Sequence, residues 1–178
     1  MKINWVISES VATDPMLDFN RLKDIGSFWG SWRTWRVCGT DNVICHELSD
    51  AQNLITRDFH KQCNFYIPNS NYISLDRPVG VKLYEGNFQH DVDNREEIIA
   101  MHLASSSCDI VLLLGFDFQE LPKNPDRLIE HRNHNYWSLA YQIIKDTPEV
   151  QWLAINHPGK VRPEIAKLEN FRDRKSNV

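Results

Sequence analysis

The chain has 178 residues, 42% of them apolar and 25% charged, the proportions of an ordinary globular protein rather than a disordered or fibrous one. That length suits one domain, and a chain of this size buries ~70% of the surface it exposes when unfolded, enough for a core without disulfides or metals. The net charge of −4 and sequence pI of about 6.0 lack the basic excess that marks a nucleic-acid binder.

Residues 3–7, Ile-Asn-Trp-Val-Ile, read as an opening strand. Asp14-Pro15 has the form of a helix cap followed by proline at the first helical position. Phe19, Leu22, Ile25 and Trp29 follow at helical spacing, with Gly26 and Gly30 ending or interrupting that helix. Trp35 to Cys38 is expected to be a second strand closed by Gly39, with Val43-Ile44 as a short extension. Ser49-Asp50-Ala51-Gln52 matches a capping box, and Ala51, Leu54, Ile55 and Phe59 form an apolar stripe behind it. Asn64 to Ile67 reads as a strand stopped by Pro68, and Val79 to Tyr84 as another.

A second capping pattern, Asp93 to Glu96, opens a helix through Leu103. Asp109 to Gly115 is the clearest strand, apolar on both faces as a central strand between helical layers must be. A long helix is expected from about Asp126 to Lys145, then a strand from Val150 to Ile155, then a last helix from Arg162 that fades after Phe171. Strand and helix thus alternate. The pattern predicts a three-layer α/β domain over residues 1–172: a mainly parallel, Rossmann-like sheet of about six strands with helices on both faces. Residues 173–178 are expected to be a charged tail.

The start of the chain is too polar for a signal peptide. The longest aliphatic run, Ile110 to Leu114, is far short of a membrane span. Cys38, Cys45, Cys63 and Cys108 lack the density of a disulfide scaffold, so free thiols and a cytoplasmic location are expected.

Open parallel sheets bind ligands outside the carboxyl ends of their strands. The residues that follow the strands are therefore the candidates: Ser8, Glu9 and Ser10; Tyr84, Glu85 and Gly86; Gly115 and Asp117; Asn156 and His157. Asp117 follows an apolar strand and a glycine, and reads as a base, a ribose-hydroxyl acceptor or a metal ligand, or more plainly as a turn aspartate ahead of Pro122. His157 titrates in the range useful for acid–base work, or is a loop histidine before Pro158. His131 and His134 share a helical face, but no dense ligand motif accompanies them, and neither metal nor cofactor is expected. His90, Asp91 and Asp93 are covered by the capping pattern.

Residues 28–36, Phe-Trp-Gly-Ser-Trp-Arg-Thr-Trp-Arg, hold half of the six tryptophans, interleaved with Arg33 and Arg36. The indoles suit stacking on a base while the arginines hold phosphates, or an oligomer or partner interface, or a local cation–π stack that packs the domain. Dinucleotide, P-loop and nucleophile-elbow motifs are missing from the sequence.

The run Asp109-Ile-Val-Leu-Leu-Leu-Gly-Phe-Asp117-Phe, the helix bearing Tyr136-Trp137, and Val150-Gln-Trp-Leu-Ala-Ile-Asn156 carry a resemblance. Over residues 98–156, about a third of the chain, it resembles the carboxyl-terminal part of bacterial sialyltransferases and motility-accessory-factor-like proteins. The resemblance implies a Rossmann-type fold, with Gly115 and Asp117 lining a nucleotide pocket. The expected function is binding of a nucleotide or nucleotide-sugar, or glycosyl transfer from it. Asp117 and His157 would be the catalytic pair, and Ser8, Arg33, Arg36, Gly115 and Asn156 the ligand contacts. The alternative is a non-enzymatic protein that uses Trp29 to Arg36 as an interface, in a homo-oligomer or on a partner.

Overall fold

The computed structural model describes residues 1–9, 18–85, 95–116 and 134–155. Among these, seven strands form one sheet in which every neighbouring pair is parallel. They are β1 (Ile3–Ile7), β2 (Ser27–Ser31), β3 (Asn42–Ile44), β4 (Asn64–Pro68), β5 (Lys82–Tyr84), β6 (Ile110–Leu114) and β7 (Gln151–Ile155). The helices are α1 (Phe19–Lys23), α2 (Trp32–Cys38), α3 (Leu48–Thr56), α4 (Asn69–Ser74), α5 (Arg95–Ser105) and α6 (His134–Asp146), with one 3-10 turn at Phe59–Lys61.

The strand order is β5-β4-β3-β2-β1-β6-β7. The chain starts in the middle, steps outward through β5, then crosses back to lay β6 on the free side of β1. The order of strands reverses between β1 and β6, so this is where connections leave in opposite directions and open a crevice. Apart from Asn4 of β1, both strands turn apolar side chains to both faces, because helices cover each side. On one side Val6, Trp29, Ile44, Val111, Leu113 and Trp152 pack against Ile98, Met101 and Ala104 of α5 and Tyr136, Ala140 and Ile144 of α6. On the other, Trp5, Ile7, Phe28 and Leu114 pack with Leu22 of α1, and Val43, Phe65 and Ile67 with Ala51 and Leu54 of α3.

The α/β class stands, with seven strands in place of about six. The extra strand comes from the tryptophan-rich segment, where the expected elements are exchanged. The helix expected to reach Trp29 ends at Lys23, and residues 27–31 are β2. Phe28 and Trp29 point to opposite faces, each into a different core cluster, so their burial follows a period of two. Gly26 permits the turn into β2. A Cβ there would collide with the carbonyl oxygen of Ile3.

The strand expected at Trp35–Cys38 is instead α2. Ser31 caps it, accepting from the backbone N–H groups of Arg33 at 3.2 Å and Thr34 at 3.4 Å, and Gly39 closes it with φ 62°. These two end signals outweigh the strand preference of Trp35 and Val37. The capping box expected at Ser49 does not form. Helix α3 begins at Leu48, and its Ncap residue Glu47 makes no side-chain capping bond. Asp50, in its first turn, accepts from the indole N–H of Trp32 instead. Strand β5 is shorter than expected, and α4, directly after Pro68, has no counterpart among the expected elements. The expected caps at Asp14 and Asp93, the first part of the helix from Asp126, and everything after Ile155 lie outside the described residues.

Candidate functional site

The carboxyl ends of β1 and β6 are joined by the backbone N–H of Ser8 donating to the carbonyl of Leu114 at 3.0 Å. Ser8 is fully buried there. Gly115 follows β6 with φ 83°, a conformation that side chains disfavour and that lets a backbone come close to a ligand. Two of the expected ligand contacts thus meet at the switch in strand order.

Arg33 joins them through Glu9, the residue after Ser8. Its guanidinium lies 3.5 Å from the Glu9 carboxylate and 3.8 Å from Asp50 of α3. The Ser31 hydroxyl donates to the same Glu9 oxygen at 2.7 Å. Glu9, Ser31 and Arg33 therefore form one unit at the ends of β1 and β2. The Arg33 side chain is half exposed and the Glu9 side chain about a quarter exposed, so both can meet a solute. Arg36 does not share this unit. Its guanidinium sits 4.6 Å from the Trp32 ring centre, and that of Arg33 sits 4.9 Å from it. Trp29 is in the core, and Trp35 packs edge-on against Phe59 at 4.7 Å. The indoles of the segment thus serve packing, and its charged groups face outward.

Behind this unit lies the first turn of α5. Its N-terminus reaches the carboxyl edge because α5 follows β5 and runs back across the sheet. Glu97 is fully buried. One of its oxygens accepts the backbone N–H of Glu9 at 3.0 Å, and the other accepts the hydroxyl of buried Tyr136 at 2.7 Å. Glu97 thereby fixes the strand-end backbone that carries Glu9. Its neighbour Glu96 is also buried, and lies 3.5 Å from the backbone N–H of His46. Burial pushes the Glu96 carboxyl above its ordinary range, against opposing backbone hydrogen bonds and Arg33.

His46, just past β3, links two more side chains. Arg95 Nη1 is 2.7 Å from Nε2, and the Tyr84 hydroxyl is 2.7 Å from Nδ1. A guanidinium can only donate, so Nε2 accepts and the imidazole proton sits on Nδ1, directed at Tyr84. Burial first, then the Arg95 charge, holds the His46 pKa below its usual value, which keeps the ring neutral. Burial also raises the Tyr84 phenol. The Asn71 amide donates to the His46 carbonyl at 2.7 Å and anchors this loop to α4.

Among the described residues, no three His, Cys, Asp or Glu side chains group around a common metal position. Asp117, Asn156 and His157 lie outside the described residues, as do His131 and the side chain of His134. Sequence reasoning named Glu9 and Tyr84 only as strand-end positions and missed Ser31, His46, Asp50, Arg95, Glu96 and Glu97. A signal for the glutamates was present. Helix α5 continues from Glu96-Glu97 directly into the apolar run Ile98 to Met101, and both glutamates are buried with it.

Fold and site together define a doubly wound parallel α/β protein with a polar, partly charged centre at its topological switch. No family model, characterised protein or solved structure matches the chain. Among the described residues, no helix is long and apolar enough to cross a membrane.

Proposed function

We propose that this protein binds a nucleotide-type small molecule over the carboxyl ends of β1, β2 and β6. The observation that carries the reading is the Glu9–Ser31–Arg33 unit beside the β1/β6 crevice, where an accessible carboxylate and an accessible guanidinium stand side by side. A carboxylate at a strand end suits ribose hydroxyls, and the planar guanidinium suits a phosphate. Gly115 offers the close backbone approach, and Arg36 extends the positive side of the site beyond Trp32.

Buried ionisable groups support the same reading. Burial raises the pKa of the Glu96 carboxyl group, and perturbed groups of this kind cluster at functional sites. In the transferase form of this proposal, a glycosyl group moves from a nucleotide-sugar donor, as the resemblance to sialyltransferases and motility-accessory-factor-like proteins implies. Asp117 then acts as base or ribose contact, His157 as acid or base, and Asn156 as a ligand contact. The four free thiols fit a reducing, cytoplasmic setting.

The test is a thermal-shift panel of nucleoside mono- and diphosphates and their sugar conjugates. A ligand at 100 times its Kd adds ~2.7 kcal/mol, or a rise of ~5–11 °C for a chain of this length. Arg33→Ala and Glu9→Gln should each remove the shift while leaving the protein folded. A panel without any shift, or a shift indifferent to both substitutions, refutes the proposal.

A further inference from the structure

Two arginines share one indole at the carboxyl edge, and they differ in what else they touch. The guanidinium of Arg33 lies 4.9 Å from the centre of the Trp32 ring, and that of Arg36 lies 4.6 Å from it. The ring is itself anchored, because its N–H donates to Asp50 at 3.2 Å. Trp32 opens α2 and Asp50 stands in the first turn of α3, so the ring bridges two helices where each leaves the carboxyl edge.

Arg36 belongs by sequence to the last turn of α2, where a cation complements the helix dipole. Its guanidinium is elsewhere. Residues four apart share a helical face, and helical side chains lean toward the amino end of the helix. Arg36 follows that lean and lays its guanidinium against Trp32, back toward the carboxyl edge and beside Arg33. Stacking on an indole holds a guanidinium in place and leaves its in-plane N–H groups to other partners.

The two charges are not equivalent. Arg33 is 3.5 Å from Glu9 and 3.8 Å from Asp50, so two carboxylates already share it. Arg36 is exposed, and among the described residues it pairs with no carboxylate. Coulomb energy falls only inversely with distance, so an anion at Arg33 also feels the carboxylates beside it. An anion at Arg36 gains a guanidinium without such neighbours in contact. Both charges lie against one ring, a separation that a diphosphate and its two hydrogen bonds span.

We propose that the ligand of the carboxyl edge is a nucleoside diphosphate rather than a monophosphate, with its first phosphate on Arg33 and its second on Arg36. The proposal rests on the reading of this edge as a nucleotide site, and it fixes the class of nucleotide. Arg33 and Glu9 receive the part that mono- and diphosphates have in common. Arg36 is the residue that tells them apart.

The test is calorimetric titration of the full chain with the mono- and diphosphates of adenosine, guanosine, cytidine and uridine, at fixed ionic strength and without divalent cations. For at least one base the diphosphate should bind about tenfold more tightly than the monophosphate, the effect of one added charge-assisted contact. Arg36→Gln should erase that advantage, and an exposed side chain can be exchanged without unfolding the chain. Arg57→Gln, the same loss of charge on an exposed residue just past α3, should keep it. Equal binding of mono- and diphosphate by the wild type overturns this proposal and leaves the wider nucleotide reading standing. So does an advantage that survives in Arg36→Gln, or one that vanishes in Arg57→Gln as well. A chain that binds none of these nucleotides refutes both.

Discussion

Tyr136→Phe tests whether Glu97 holds the site in place. The phenol and the carboxyl group are both fully buried, and their oxygens are 2.7 Å apart. The substitution keeps the ring, so it opens no cavity. It removes one donor from a buried carboxyl group, a loss of ~1–3 kcal/mol. For a chain of this length each kcal/mol lowers Tm by ~2–4 °C, so a fall of ~2–12 °C is expected in calorimetry or circular dichroism. Glu97→Gln and the double variant complete a cycle, and groups in direct contact should couple by ~0.5–3 kcal/mol. The other Glu97 oxygen accepts the Glu9 backbone N–H at 3.0 Å, so loosening Glu97 also loosens Glu9. Tyr136→Phe should therefore weaken ligand binding at the carboxyl edge although Tyr136 lies behind it. A variant that melts with wild type, or a coupling indistinguishable from zero, refutes the role given to this bond.

Three further outcomes follow from the same geometry. Glu96 has a raised pKa in the folded protein, so its contribution to stability is greatest below its ordinary pKa and declines as pH rises toward the folded value. Glu96→Gln should accordingly raise Tm at pH 7 relative to wild type and change it little at pH 4, as melts across pH will show. His46 has a lowered pKa, so its contribution is complete above pH ~6.5 and is lost as pH falls toward the folded value. Imidazole NMR should find the Nδ1–H tautomer at neutral pH and a midpoint below that of a free histidine. Gly26→Ala should destabilise by ~1–3 kcal/mol in urea unfolding, because its Cβ meets the Ile3 carbonyl.

The strands legible in the sequence were those whose signal is continuous burial. Ile110 to Leu114 and Ile3 to Ile7 sit between helical layers, and only Asn4, buried and bonded to the Ala104 carbonyl, interrupts their apolar character. Residues 27–38 depart from the expected elements because tryptophan carries no period of its own. Trp29 is in a strand and Trp32 and Trp35 in a helix, and only Ser31 and Gly39 mark the boundary. The site was half legible for a related reason. Ser8, Glu9 and Gly115 follow strands directly, so a parallel sheet places them at one edge by geometry alone. His46, Asp50, Arg95 and Glu96 converge through the packing of α3 and α5, at sequence separations of up to 50 residues. No local pattern encodes such a meeting.

The charge balance at the carboxyl edge narrows what can bind there. Glu9, Asp50, Glu96 and Glu97 supply four carboxyl groups, and Arg33 and Arg95 supply two guanidiniums. Arg95 is turned inward to His46, so Arg33 is the guanidinium of this cluster that a solute reaches first. It is already shared between Glu9 and Asp50 and laid against Trp32, which fixes its position before any ligand arrives. A bare phosphate gains only the outer side of Arg33 and suffers repulsion from the two carboxylates beside it. A ligand with hydroxyl groups near its phosphate donates to Glu9 while accepting from Arg33, which turns the same carboxylate from a penalty into a contact. Nucleoside monophosphates should therefore bind where inorganic phosphate does not, and 2′,3′-dideoxy analogues should lose most of that advantage. Equal binding of phosphate and nucleotide would mean that Glu9 plays no part in recognition.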